Sequence, residues 1–450
     1  MATSAKNSEE RISAEPTKSF FVEMFTKDIA LEQAVLDLVD NCVDGAKRHP
    51  IVGNRPFEGK KVEITFDTEK FYIWDNCGGF DRNTAREYAF RFGRPKGKNL
   101  TPHSIGQFGV GMKRALFKFG GHFSVHSATE EEEWAVDVND GSWMEKENDW
   151  TFEWATFNPT KAISEVKPGT EIKVTKLHPQ VARTFETTTF ENLIKSLIKS
   201  RHRSFLNEGL NIQVNGESIV PIGLQLCFSD QLKPAVSRWT EKVERSSVKI
   251  SIITGVGPST PKLAGWYVAC NGRLILDADR RDVTGWGVVE ELGEKKIVIP
   301  GYHNQFARFR GIIAFDSSNS GLVPWNTMKT DVDQDSPVWQ TAREKMIEMM
   351  RPVIDFLNEL DADIDDYTRQ YSRLHEIVEK SPTLPPEKFI RSRPFLAPER
   401  SAVGPLVRYT KIQYSREDKI VEEMKHLLGA ASAKAVGEKT FDQVYEKIRR

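Results

Sequence analysis

Three polar residues, Asp37, Asn41 and Asp44, stand at i, i+4 and i+7 in the run Asp37-Leu38-Val39-Asp40-Asn41-Cys42-Val43-Asp44-Gly45-Ala46. On a helix of 3.6 residues per turn they fall within about 60° of one another. Leu31, Val35, Leu38, Val39, Cys42 and Ala46 fall roughly opposite, on a face suited to a core. The spacing predicts a half-buried helix over 29–47, with a carboxylate one turn from a carboxamide on its wet side. A carboxylate orients or deprotonates water. An amide oxygen is a good ligand for Mg²⁺, which takes hard oxygen donors together with phosphate. An ordinary amphipathic helix carries the same pattern, so the segments that follow must decide between the two.

Two glycine clusters follow. Val62-Glu63-Ile64-Thr65-Phe66 and Phe71-Tyr72-Ile73-Trp74 read as paired strands, and Asp75-Asn76-Cys77-Gly78-Gly79-Phe80 comes straight after them. An aspartate at a strand end, with small residues behind it, can accept a hydrogen bond from a base edge while the backbone passes close by. A plain turn has the same composition. The second cluster, Ile105-Gly106-Gln107-Phe108-Gly109-Val110-Gly111-Met112-Lys113, runs into a helix predicted over 109–119. Free amides at a helix N-terminus point at anions, and Lys113 in the first turn adds charge there. The glycine order is not that of a dinucleotide fingerprint, and no Gly-Lys-Ser/Thr completes a phosphate loop of the Walker type. A last element, Pro168-Gly169-Thr170, leads into the strand-like Glu171-Ile172-Lys173-Val174.

In this order and spacing the four segments, over residues 37–170, resemble the GHKL ATPases: DNA gyrase B, the heat-shock chaperone of about ninety kilodaltons, sensor histidine kinases and MutL. Ala89-Phe90-Arg91-Phe92-Gly93 ahead of Ser104 to Lys113 is most similar to the MORC-type branch. The resemblance implies an α+β architecture: a Bergerat-type ATP-binding α/β sandwich, a ribosomal-protein-type transducer domain and a helical C-terminal region. It also implies roles by matching position. Asn41 holds Mg²⁺ on the phosphates of ATP, and Asp44 lies in the same box. Asp75 accepts the adenine amino group, Gly79 gives the base room, and Thr170 bonds to the adenine site through Asp75 and a water. Gly106, Gln107, Phe108, Gly109, Val110, Gly111, Met112 and Lys113 form the hinge and floor of the ATP lid. The catalytic position, four residues before Asn41, usually holds glutamate; here it holds Asp37. Aspartate is one methylene shorter, which sets its carboxylate ~1.5 Å back. Slow turnover with intact nucleotide binding is the expectation. Asp40 matches an aspartate of gyrase-like members, and Cys77 stands where a glycine is usual.

The rest of the chain fits that frame. Residues 1–18 read as a flexible tail, 19–215 as the ATP-binding domain and 216–352 as a transducer-like α/β domain. A helical segment over 353–380, a proline-rich linker over 381–414 and a small helical segment over 415–450 follow. In transducers of this kind a loop lysine reaches the γ-phosphate; Lys329, in Leu322-Val323-Pro324-Trp325-Asn326-Thr327-Met328-Lys329-Thr330, is the candidate. Asn271-Gly272-Arg273 resembles a structural turn between two transducer strands.

Composition excludes several classes. The formal net charge is −1, so nothing global marks a nucleic-acid or membrane binder; Lys96, Lys98, Arg201, Arg203, Arg280 and Arg281 are local basic groups. The four cysteines form no Cys-x-x-Cys pair, which argues against structural zinc and disulfides and for a reducing cytoplasm. No window approaches a membrane span. The segment Met1 to Leu36 holds no histidine, against a sensor kinase. The function expected is an ATP-driven gate or clamp that homodimerises on ATP and acts on DNA or a partner protein, in DNA maintenance or anti-phage defence. A heat-shock-type chaperone and a non-hydrolysing ATP-sensing module are the alternatives.

Overall fold

Alternation of apolar residues builds the first sheet. In β1 (Lys61–Phe66), Val62, Ile64 and Phe66 are buried while their neighbours are half-exposed, the pattern of a strand with one face in a core. β1 pairs antiparallel with β2 (Lys70–Asp75), matching Val62 with Asp75. A computed structural model describes residues 16–53, 55–91, 101–106, 109–156, 168–292, 295–362, 372–399 and 412–449. Two compact units divide it, 1–399 and 400–450.

In the first unit, β3 (Gly120–Ala128), β4 (Glu133–Asn139), β5 (Gly169–Leu177), β6 (Asn211–Val214) and β7 (Glu217–Ser218) join β1 and β2 in the order β4-β3-β5-β2-β1-β6-β7. Among the described residues of this sheet only the β1–β6 pairing is parallel. The helices are α1 (Lys18–Lys27), α2 (Leu31–Arg48), α3 (Arg82–Thr84, continued by a π-turn over Ala85–Ala89), α4 (Gly111–Phe119), α5 (Asp140–Glu145), α6 (Pro179–Phe185), α7 (Thr188–Arg201) and α8 (Arg203–Asn207). Helix α2 packs against α4 and α7. Glu32 in its first turn and Lys47 and Arg48 in its last oppose the helix dipole favourably. Phe71, Phe119, Phe185, Phe66 and Phe190 fill the core between sheet and helices with tilted and edge-on rings.

After a short β8 (Leu226–Cys227), a second sheet follows. It is built from β9 (Ala235–Val243), β10 (Ser246–Val256), β11 (Gly265–Cys270), β12 (Arg273–Asp279) and β15 (Phe309–Asp316), in the order β12-β11-β15-β10-β9. The hairpin β13 (Val289–Leu292) and β14 (Lys295–Val298) stands apart. Helix α9 (Pro337–Ala362) covers the sheet by burying Val338, Ala342, Met346, Met350, Val353 and Leu357 at helical spacing. Edge strand β12 packs on α7 and α8, which joins the two sheets.

Helix α10 (Arg373–Lys380) leads into the proline-rich stretch. Of the expected linker, residues 381–399 are extended yet docked: β16 (Thr383–Leu384) pairs with β8, and Lys233 and Val236 bridge to Leu396 and Arg393. Each proline lacks an amide hydrogen, but the residues between keep theirs, and the amides of Arg393 and Leu396 bond to Val236 O in edge strand β9 and to Lys233 O just before it. In the second unit α11 (Asp418–Leu428) and α12 (Ala433–Arg449) form a hairpin; Gly429 turns it in a left-handed conformation and Lys439 donates to Leu428 O at 2.8 Å. Among the described residues no helix is long and apolar enough to cross a membrane.

Candidate functional site

Helix α2 carries the expected residues on one side, but that side is not wet. Asp37 and Asp44 are buried, each about 8% exposed, and Asp40 is wholly buried. Between Gln33 and Ala46 only Asn41 is exposed. The half-buried helix expected from the spacing is thus corrected: segments distant in sequence cover its polar side. One cover is the start of α4. A side chain at Gly111 would place its Cβ 3.1 Å from both Cβ and Oδ2 of Asp37, so the glycine lets α4 approach the carboxylate. A second is the stretch before α4: Asp44 accepts from the amides of Ile105 and Gly106, both at 2.7 Å. Burial raises the Asp44 carboxyl above its usual range, against Lys47 and the two amides. Asp44 therefore fixes the base of the glycine-rich segment.

The third cover is Lys329. Its loop is closed by a bridge between Trp325 and Val332, by the Lys329 amide on Asn326 O and by a two-bond pairing of Arg281 with Asp331. Lys329 takes a left-handed backbone (φ 54°) and sends its ammonium to Asp40 Oδ2 at 2.8 Å and Asp37 Oδ1 at 3.4 Å. Asp40 Oδ1 accepts from His202 Nε2 and from Arg273 Nε, both at 2.8 Å. Burial opposes the charge on Asp40, but Arg273 and then Lys329 hold its carboxyl well below the usual range. Burial likewise opposes the ammonium of Lys329; Asp40 and Asp37 outweigh it and hold it above its ordinary value. Burial and the neighbouring Arg273 push His202 down to about 4, so it is neutral at pH 7 and donates from Nε2. Two carboxylates and two cations thus balance within one buried cluster.

Asp75 ends β2 opposite Thr170 of β5. It is buried, and its Oδ1 accepts from the Cys77 amide at 2.7 Å. Thr170 Oγ1 lies 3.0 Å from Ser127 Oγ, which also takes the Phe80 amide at 3.0 Å. Burial raises the Asp75 carboxyl to about 6, against the Cys77 amide and the Cys42 thiol. Burial and the same carboxylate push the Cys42 and Cys77 thiols well up, so both are protonated. Gly79 has φ 61°, and a Cβ there would lie 2.0 Å from Ala128 O. Gly79→Ala is expected to cost about 3 kcal/mol, summing overpacking and left-handed strain. A denaturant titration of wild type and variant checks this; equal midpoints would contradict the close packing.

Among the other expected residues, Gly106, Gly109 and Val110 lead into α4, and Met112 packs on the core. Gln107 and Phe108 lie outside the described residues, as do Phe92, Gly93, Lys96 and Lys98. Lys113 departs from expectation. Its side chain is buried and its ammonium donates to Ala89 O at 2.7 Å and Gly109 O at 2.5 Å, bracing the π-turn against the glycine-rich segment. Its place on the inward side of α4 explains the difference. Sequence reasoning missed Asp40, His202 and Arg273 as a group, and read Arg273 only as part of a turn. It also missed Lys47, which donates to His103 O at 2.7 Å and Asn271 O at 2.8 Å and so ties the glycine-rich segment to the second sheet.

Residues 29–170 match the family described as histidine kinase-, DNA gyrase B-, and HSP90-like ATPase. The match supports the GHKL superfamily for this segment, and with it ATP binding. No curated protein matches the chain. A GHKL-type site needs few protein ligands for its metal, because phosphates supply the rest. The donors fit that demand. Among the described residues no group of three or more His, Cys, Asp or Glu could hold a metal, while Asn41, exposed on α2 one turn beyond Asp37, offers one hard amide oxygen.

Proposed function

We propose that the chain is a slow, Mg²⁺-dependent ATPase of the MORC-like kind, in which ATP closes a lid and drives homodimerisation, making a gate or clamp for DNA or a partner protein. The observation that carries the reading is Lys329: it comes from the loop after β15, 292 residues beyond Asp37, and reaches the same buried cluster on α2. Asn41 holds Mg²⁺ on the phosphates; bound there, the ion neutralises phosphate charge. Asp37 orients the attacking water and takes its proton. Lys329 stabilises charge that develops on the transferred phosphoryl group. Asp75 accepts the adenine amino group, with Thr170 in support and Gly79 making space. Asp44 and Lys113 hold the base of the lid that runs from Gly106 through Met112.

In this reading the domains are 19–215 for ATP and 216–352 for transduction, the latter of ribosomal-protein type. The helical segment 353–380, the stretch 381–414 and the segment 415–450 follow, after a tail over 1–18. The link from Lys47 to both His103 and Asn271 gives lid state a route to the second sheet. A role in DNA maintenance or anti-phage defence, in the cytoplasm, suits a clamp. A non-hydrolysing ATP sensor is the second reading, favoured by the aspartate in a glutamate's seat.

Asp75 sets a pH dependence. Burial raises its folded carboxyl to about 6, and only the ionised form purely accepts. ATP affinity therefore falls as pH drops through about 6, and Asp75→Asn flattens the profile while weakening binding. Titrations with a non-hydrolysable analogue between pH 5 and 8 read this; the same slope in the variant would move the cause elsewhere. The clamp is tested by light scattering with that analogue, with and without long DNA. A monomer under every condition would exclude it.

A further inference from the structure

We propose that Asp40 is a positioning residue for Lys329: it fixes the reach of that ammonium to the nucleotide, and Arg273 and His202 in turn fix Asp40. The inference rests on the ATPase reading and extends it. Both Asp40 oxygens are committed, Oδ2 to Lys329 and Oδ1 to His202 and Arg273, each at 2.8 Å. All of these groups are buried, with Asp40, His202 and Arg273 wholly so, and screening by water is small. A lysine has a flexible stem and a point charge, so its tip is placed only by what holds it. Here the holder stands one turn of α2 beyond Asp37 and next to Asn41. Lys329 sits on a turn, Arg273 begins β12 and His202 lies between α7 and α8. Asp40 is thus the common acceptor for cations and donors from three elements. Movement of the second sheet relative to α2 would shift Arg273 and Lys329 together, with Asp40 as the pivot.

The test is a double-mutant cycle on turnover in the full chain, with Asp40→Asn, Lys329→Ala and the pair. Asp40→Asn keeps the shape and one acceptor but removes the charge. It is expected to lower kcat about tenfold, with little change in KM. In the Lys329→Ala background the same change is expected to have almost no effect, because Asp40 acts through the lysine. Equal losses in both backgrounds, or no loss in either, would overturn the inference and leave the ATPase reading standing. Loss of all turnover in wild type, or full turnover in Lys329→Ala, would overturn the reading itself and this inference with it. Should Asp40→Asn not fold, His202 serves instead. His202→Gln retains a donor to Oδ1 and is expected to keep turnover; His202→Leu removes it and is expected to lower kcat only when Lys329 is present. Equal kcat for His202→Gln and His202→Leu, both folded, would count against the proposal.

Discussion

Asp37→Asn lowers ATP hydrolysis by about 1,000-fold, the scale of a lost general base, while ATP still binds. Asparagine keeps the volume and the Oδ1 that accepts from Gln33 Nε2 at 3.0 Å, so α2 and its packing against Gly111 survive. What disappears is the carboxylate that, under the proposed mechanism, takes the proton of the attacking water. Asp37→Glu moves the other way. It restores the reach of one methylene, and a shift of about 1 Å at a reacting group is worth on the order of 100-fold. Faster turnover in Asp37→Glu marks the native enzyme as tuned slow; no turnover in either protein favours the ATP-sensing module. Phosphate release measures all three proteins. Wild-type rates in Asp37→Asn would remove Asp37 from the chemistry.

Lys329→Ala lowers turnover by about 100-fold, as expected for removing a preorganised charge from the transferred phosphoryl group. Affinity for ATP is expected to change little, because the proposed adenine and Mg²⁺ contacts lie on other residues. The substitution also leaves Asp40 with Arg273 and His202 alone. A buried carboxylate losing one of its two cations costs about 3 kcal/mol of stability. Thermal unfolding therefore has to accompany the kinetics, to separate a folded slow enzyme from a depleted one. The reverse outcome, intact turnover with lost affinity, would make Lys329 a binding residue only.

The elements that carry the candidate residues were legible because the patterns that mark them are local. Asp37, Asn41 and Asp44 share a helix side by spacing alone, and Asp75 and Thr170 sit at strand ends that alternation marks, with Gly79 in the loop after Asp75. The cluster around Asp40 was not legible. Its members lie at 40, 202, 273 and 329, on elements whose meeting depends on how two sheets pack. The same distance hid the burial of the polar side of α2, since its cover comes from Ile105, Gly106, Gly111 and Lys329. Lys113 shows the opposite failing: its position at a helix start was right, but its partners are carbonyls that only the tertiary fold brings near. The prolines of 381–399 marked extended chain, yet gave no sign that β8 would pair with it.

Calorimetric titration of the full chain with a non-hydrolysable ATP analogue, in Mg²⁺ and in EDTA, for wild type and Asn41→Ala, tests the central claim most directly. Binding at one site per chain that depends on Mg²⁺ and is lost or greatly weakened in Asn41→Ala is the predicted result. No binding by wild type, or equal binding by both proteins with and without Mg²⁺, would contradict the account.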